Sequence, residues 1–206
     1  MMHYTPLSER KSRILENTPF NMKWIECEPT EQQWTTDVET WDTKAPSVSF
    51  REISKGEISL CHKHIEAYKD IVENKYSAAL ILEDDVILAK DFVELFNQNV
   101  ERTPEDWDYI FIGSGCNLRI NPKLVFPEKV AYRKAHPATK CTDSYCLTLS
   151  AAQKVLSTII PFTLPIDFEL NYQLERHDMN VYWWEPPIVI QGSQCGLYGS
   201  ALQGEV

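Results

Sequence analysis

Three acidic residues stand in a row in the stretch "AALILEDDV" at 78–86, directly after five apolar residues. Inside a buried strand, Glu83, Asp84 and Asp85 would each need a partner or a proton, at a cost of several kcal/mol. Placed just past the strand's C-terminal edge they escape that burial, and they arrive where open α/β sheets bind ligands. An extended chain sends Glu83 and Asp85 to one side and Asp84 to the other. Two neighbouring carboxylates repel, and a divalent cation is the simplest neutraliser. Carboxylate oxygens suit Mg²⁺ or Mn²⁺, whose remaining positions water and phosphate oxygens commonly fill. A cation held there would grip a diphosphate and stabilise it as it leaves, the chemistry by which a sugar departs from a nucleotide donor. An acidic triplet is equally the form of a solvated turn or a helix cap, so the run alone does not decide.

Displacement at an anomeric carbon with inversion also needs a general base on the acceptor hydroxyl. Asp167 in "LPIDFE" is the first candidate, since Pro165 stiffens its approach and a helix start would hold its carboxylate. A plain N-cap is the competing reading. Asp143 is the second candidate. Arg10 and Arg13, three apart, can face a donor diphosphate or base, or simply water. Tyr4 and Pro6 are candidates for the lining of a base pocket. Gly113 in "IGSG" ends a strand where a sugar's close approach would suit a missing side chain, although the same tetrapeptide makes an ordinary turn. His62 and His64 flank a helical stripe and read as ordinary, partly buried histidines rather than metal ligands. Of Trp183 and Trp184, one is expected in the core and the other free to stack on a sugar or meet a loop. "QGSQCG" at 191–196 is either a late donor contact or a flexible end.

These residues need a scaffold, and the hydrophobic pattern supplies one. Residues 1–26 read as a short strand, a polar turn around Pro6 to Arg10, and a second short strand near Met22 to Ile25. Residues 28–50 show no sustained period and read as a long surface loop, with Trp41 and Pro46 in it. "SKGE" from Ser54 is a capping box, and Ile58, Cys61, Ile65, Tyr68 and Val72 recur at helical spacing over 55–74. Strands are expected at 78–82, 108–113, 144–150 and in "NVYWW". Helices are expected after Asp91 and Glu94, a capping pair, in "AAQKVLSTI", and after Asp167. Helices alternating with apolar strands give an α/β domain with its sheet covered on both faces. One domain over 1–206, with an irregular C-terminal tail, fits both the length and the 43% hydrophobic content.

With 20 basic against 30 acidic residues, the formal charge of −10 argues against nucleic acid as a partner. The nearest thing to a basic cluster, "LSERKSR", is short and suits at most one phosphorylated ligand. No apolar run reaches the roughly 20 residues that span a bilayer, and the N-terminus lacks a signal peptide's apolar core, so a cytoplasmic location is expected, the host cytoplasm if the chain is viral. Six cysteines at 27, 61, 116, 141, 146 and 195 show no C-x-x-C pairing and read as free thiols. Cys141 and Cys146 would bridge only if their backbones converged.

Residues 54–88, "SKGEISLCHKHIEAYKDIVENKYSAALILEDDVIL", resemble the central block of glycosyltransferase family 25, the lipopolysaccharide-biosynthesis and collagen-type galactosyltransferases. Leu7-x-x-Arg10-x-x-Arg13, Trp107 to Ile110, Tyr145 to Ala152 and Pro165 to Leu170 fit the same pattern in order. Compact viral capsid glycosyltransferase domains are similar in size and layout. The resemblance implies a GT-A fold with a mixed central sheet, and transfer of a hexose or deoxyhexose from a nucleoside diphosphate, UDP first, to a glycan or glycoprotein acceptor with inversion. It matches an ExD element to Glu83 and Asp85, with Asp85 contacting Mn²⁺ or Mg²⁺ and Glu83 binding metal-held water or the ribose. Joined with the residue-by-residue reading above, the candidate nucleotide-binding set is Tyr4, Pro6, Arg10, Arg13, Glu83, Asp84 and Gly113. The chain departs from the pattern at "CHKH", where Ser-His is usual, and in short acceptor-side segments, so collagen is not the expected acceptor. Further domains in a longer polypeptide are compatible with this reading. A metal-dependent nucleotidyl or phosphoryl transferase, and a non-catalytic nucleotide-sugar-binding domain, are the alternatives.

Overall fold

The computed structural model of the chain describes residues 1–37, 53–134, 139 and 141–198. Most of the loop expected at 28–50, including Trp41 and Pro46, lies outside them. Its described part holds a single helical turn, α2 (Gln33–Thr36).

The best-patterned element is α3 (Lys55–Asn74). The Ser54 hydroxyl accepts from the Glu57 backbone N–H and Glu57 returns the bond to the Ser54 N–H, so the expected capping box is formed. Ile58, Cys61, Ile65, Tyr68 and Ile71 are buried along one stripe, and Lys75 closes the helix in the left-handed region. A three-residue link leads to β1 (Ala78–Leu82), then β2 (Val86–Leu88), α4 (Phe92–Glu101), β3 (Tyr109–Phe111), β4 (Ala131–Arg133) and β5 (Ser144–Thr148). Helices α5 (Leu149–Leu156) and α6 (Ile166–Arg176) follow, then β6 (Val181–Trp184) and β7 (Val189–Gln191). Asp91 precedes α4 without a side-chain cap bond, so the expected Asp91–Glu94 capping pair is not made.

Five strands form one sheet in the order β1-β5-β3-β6-β4. Only β3 and β6 run parallel, which makes the sheet mixed. Alternation along each strand divides the core in two. Tyr109, Phe111, Tyr145, Leu147, Val181 and Trp183 pack toward α3, α5 and α6. Ile110, Ile112, Cys146, Tyr182 and Trp184 pack on the opposite face with Ile14 and Phe92. Both tryptophans are thus buried, one on each face, and the expectation that one would be free for a sugar is overturned. The lid of Trp183 is Lys134, whose Nζ sits 4.0 Å from the ring centroid.

The N-terminal reading also changes. Residue Met2 bridges in parallel to both Ile25 and Glu83, but the polar turn expected around Pro6 to Arg10 is the start of a helix, α1 (Ser8–Asn17). Only Ile14 of α1 is buried, and the rest of the helix is almost wholly polar.

Candidate functional site

The sheet ends where the acidic run begins. Backbone extension stops at Glu83, Asp84 and Asp85 form a turn, and β2 starts at Val86. The expected alternation beyond the strand therefore does not hold, and all three carboxylates line one cavity of about 520 Å³. That volume lies within the range typical of small-ligand sites, roughly 300–1,000 Å³. Its walls come from the N-terminal segment (Tyr4, Arg10), the start of α3 (Lys55, Lys63) and the tail (Ser193).

The three carboxylates differ sharply. Asp84 is saturated by the N-terminal segment: Arg10 donates at 3.0 Å, the Tyr4 backbone N–H at 3.1 Å, and His3 Nδ1 lies at 2.8 Å. Although Asp84 lines the cavity, its oxygens are taken up by its own chain. Glu83 accepts from the Thr142 hydroxyl at 2.6 Å, while its N–H donates to the Asp143 carbonyl. Asp85 is 5% exposed, with Oδ2 held by the Ser193 hydroxyl at 2.6 Å. Its Oδ1 is buried and accepts no hydrogen bond among the described residues. Burial, then repulsion from Glu83, pushes the Asp85 carboxyl up to about 6.

This arrangement fits a divalent cation. A buried carboxylate oxygen without a donor, beside a second carboxylate that repels it, is stabilised by positive charge. Among the described residues no group of three or more His, Cys, Asp or Glu side chains converges to hold a metal. Mg²⁺-type sites commonly use one or two carboxylates, with water and phosphate completing the shell.

The other expected residues are distributed as follows. Tyr4 lines the cavity and is 48% exposed, whereas Pro6 is exposed and outside the lining. Arg10 lines it; Arg13 does not, and both guanidinium groups lie over the Tyr198 ring at 5.0 and 5.4 Å. They project from α1, not from a strand end. The space at Gly113, expected to admit a sugar, is filled by the protein itself: a Cβ there would overlap the Asp143 carboxylate and the Ser144 hydroxyl. Asp143 is buried and accepts from Ser144 at 2.9 Å. Asp167 sits in the first turn of α6, with Pro165 as N-cap, so it is not the cap itself. Burial raises its carboxyl, and repulsion from Glu83 adds to that, but Asp167 is not among the residues that line the cavity.

Among the thiols, Cys141 faces Cys116, Sγ to Sγ at 2.6 Å, while Cys146 is buried in the sheet. The Cys141–Cys146 pairing is therefore not made. Neither histidine on α3 is partly buried as expected; His62 is 2% and His64 0% exposed.

A family model described as "Glycosyltransferase family 25 (LPS biosynthesis protein)" matches residues 27–170. The chain belongs to glycosyltransferase family 25. It is 23% identical to a procollagen galactosyltransferase 2 of Mus musculus over 184 residues, 84% of this chain and 29% of that protein. It is 27% identical to the Homo sapiens procollagen galactosyltransferase 2 over 139 residues, 65% and 22%. A third relative, "Inactive glycosyltransferase 25 family member 3" of Homo sapiens, is 27% identical over 159 residues, 71% and 25%. The chain spans about a quarter of the length of these curated relatives. The family 25 match covers α3, the acidic turn and β5, and it ends inside α6. The two segments that clamp the aspartates, 1–10 and 191–198, fall outside it.

Sequence reasoning missed His3, Thr142, Ser193 and Tyr198. A signal existed only for Ser193, inside the glycine-flanked "QGSQCG". Gly192 is needed there, since a Cβ would lie 2.6 Å from both the Asp85 carbonyl and the Tyr198 ring.

Proposed function

We propose that this chain transfers a hexose or deoxyhexose from a nucleoside diphosphate, UDP in first place, to a hydroxyl of a glycan or glycoprotein acceptor, with inversion and with help from Mn²⁺ or Mg²⁺. One observation carries the reading: a buried, unpartnered oxygen of Asp85, on a cavity of nucleotide-sugar size, in a family 25 domain. Glu83 and Asp85 would hold the cation, which supplies charge stabilisation for the departing diphosphate. Tyr4 offers an exposed ring for a nucleobase to stack on, and Arg10 adds positive charge beside the acidic turn. Asp167 takes the acceptor's hydroxyl proton as the acceptor oxygen bonds to the anomeric carbon and the anomeric carbon–phosphate oxygen bond breaks, its electron pair leaving with the nucleoside diphosphate. Burial raises the Asp167 carboxylate's affinity for a proton, the direction a general base requires. Asp143, enclosed beneath Gly113, serves to fix the backbone at Glu83.

Calorimetry with UDP-hexoses tests the reading. Donor binding is expected to need Mn²⁺, and Asp85→Asn is expected to abolish that dependence. Equal affinity with metal and with chelator would overturn it. Asp167→Asn is expected to keep donor binding and lower transfer by about 10²–10⁴-fold; unchanged turnover removes Asp167 as the base. A second reading, donor binding without turnover, draws support from the relative named inactive. Metal-dependent binding with neither transfer nor donor hydrolysis, across several acceptors, would establish it instead.

A further inference from the structure

Behind the acidic turn, α3 buries a histidine that the proposed chemistry leaves without a task. His64 stacks nearly parallel on Tyr145, centroids 5.8 Å apart and planes at 10°. Its Nδ1 lies 2.7 Å from the Tyr145 hydroxyl, which lies 2.6 Å from the Tyr68 hydroxyl. On the ring's other side Nε2 is buried, has no hydrogen bond within ordinary limits among the described residues, and lies 3.6 Å from Glu83 Oε1. His64, Tyr145 and Tyr68 are each fully enclosed, with the Tyr109 hydroxyl beside Tyr68 at one end of the series and Glu83 at the other.

Counting protons orders these groups. A neutral imidazole has one N–H, and an ionised carboxylate can only accept. A proton on Nδ1 would leave a bare Nε2 lone pair facing the Glu83 carboxylate, so the proton belongs on Nε2. Nδ1 then accepts, Tyr145 gives it its only proton, and Tyr68 in turn donates to Tyr145. The result is a one-way series of two hydrogen bonds, Tyr68 to Tyr145 to His64, that turns the Nε2–H toward Glu83 Oε1, 3.6 Å away. Glu83 Oε1 also accepts from Thr142. Two protein groups thus converge on Oε1, and among the described residues Oε2 accepts none.

We propose that His64 is a positioning residue: its Nε2–H, oriented by the tyrosine hydroxyls, holds Glu83 Oε1 in place and leaves Oε2 for the ligand's cation. The cation's part in this rests on the function proposed above, and the relay itself does not. Such supporting partners typically govern metal affinity by about 10–100-fold.

The test uses ¹⁵N-histidine NMR and Mn²⁺ titration with UDP present, on the full chain at one neutral pH. NMR is expected to show His64 as the Nε2–H tautomer, with its signals moved by Tyr145→Phe. An Nδ1–H tautomer would overturn the relay. Gln reaches the Nε2 position and Asn only the Nδ1 position, so His64→Gln is expected to bind Mn²⁺ within about threefold of the parent, and His64→Asn about 10–100-fold more weakly. Equal losses in both, tracking lost thermal stability, would reduce His64 to a packing role. If either variant fails to fold, Tyr145→Phe decides: binding weakened about tenfold supports the proposal, and unchanged binding overturns it. A parent protein that binds neither Mn²⁺ nor UDP would instead sink the proposed function, with the tautomer still judging the relay.

Discussion

Two flanks of the site treat two adjacent aspartates in opposite ways. On the N-terminal flank, Asp84 meets His3, the Tyr4 backbone and Arg10, so its charge is neutralised by the chain itself. On the C-terminal flank, Asp85 receives from the tail the Ser193 hydroxyl and, at the longer distance of 3.4 Å, the Ser193 N–H, while one of its oxygens is left bare. The flanks join at Tyr198, which lies under Arg10 and Arg13 and against Gly192. The difference separates a carboxylate whose two oxygens the protein itself satisfies from one with a buried oxygen to which no described residue donates. A charge completed internally stabilises the fold; a charge left incomplete costs stability until something positive binds.

The sharpest break of this comparison removes Asp84. With the carboxylate gone, the Arg10 guanidinium and the Tyr4 N–H lose their acceptor in a largely enclosed place. Asp84→Ala is expected to cost about 3–5 kcal/mol, which lowers the melting temperature by roughly 10 °C or more in a chain of this size. Thermal unfolding of the ligand-free protein checks it. A change within a degree would mean that the N-terminal segment is not fastened through Asp84.

The second break has the opposite sign. Asp85 ionises in the fold near pH 6 rather than near 3.8. A raised carboxylate binds more protons folded than unfolded between these values, so the stability of the ligand-free chain falls as pH rises from about 4 through about 6. Below the lower value the contribution vanishes, and above the upper one the full penalty stands, about 3 kcal/mol. Asp167 and Glu169, also raised by burial, add to the slope with the same sign. Asp85→Asn is therefore expected to flatten the fall and to raise the melting temperature at pH 8 by several degrees, while Asp84→Ala lowers it. Denaturant unfolding at pH 4 and pH 8 measures both. If Asp85→Asn destabilises at pH 8, its carboxylate is compensated after all and the contrast collapses.

How much of this was legible in the sequence depends on whether a residue's partner is near it in the chain. The α3 capping box and the apolar β1 follow from local spacing, and the structure places them within a residue or so of expectation, with Ile71 rather than Val72 completing the buried stripe; the acidic run, expected to stay extended, turns instead. Where the competing influence is distant, the pattern is silent. Asp84 pairs with residues more than 70 positions away, and Asp85 with one 108 away. Nothing local distinguishes Asp84 from Asp85, so both read alike until the termini fold over them. Helix α1 was missed because Ile14 and Leu15 are its only apolar residues in an otherwise polar stretch that also reads as a turn. Trp183 and Trp184 were misassigned because a strand covered on both faces hides successive side chains equally well. Gly113 was read as room for a sugar, whereas Asp143 and Ser144 fill the space, because an absent side chain does not name what occupies its place.

The finest test of the comparison is Ser193→Ala, because it alters one bond on one flank. The Ser193 hydroxyl favours the ionised form of Asp85, working against burial and Glu83. Its removal should move the Asp85 ionisation above 6 by about one unit, equivalent to about 1.4 kcal/mol at pH 8. At pH 4, where Asp85 is protonated in the fold, the same substitution should cost much less. In an Asp85→Asn background the pH dependence of that cost should disappear, since the two changes share one interaction. A double-mutant cycle at both pH values reads the coupling directly. A cost that is equal at pH 4 and pH 8 would show Ser193 serving only to pack the tail, and the charge left open at Asp85 would then have to be regulated by something other than the segment lying over it.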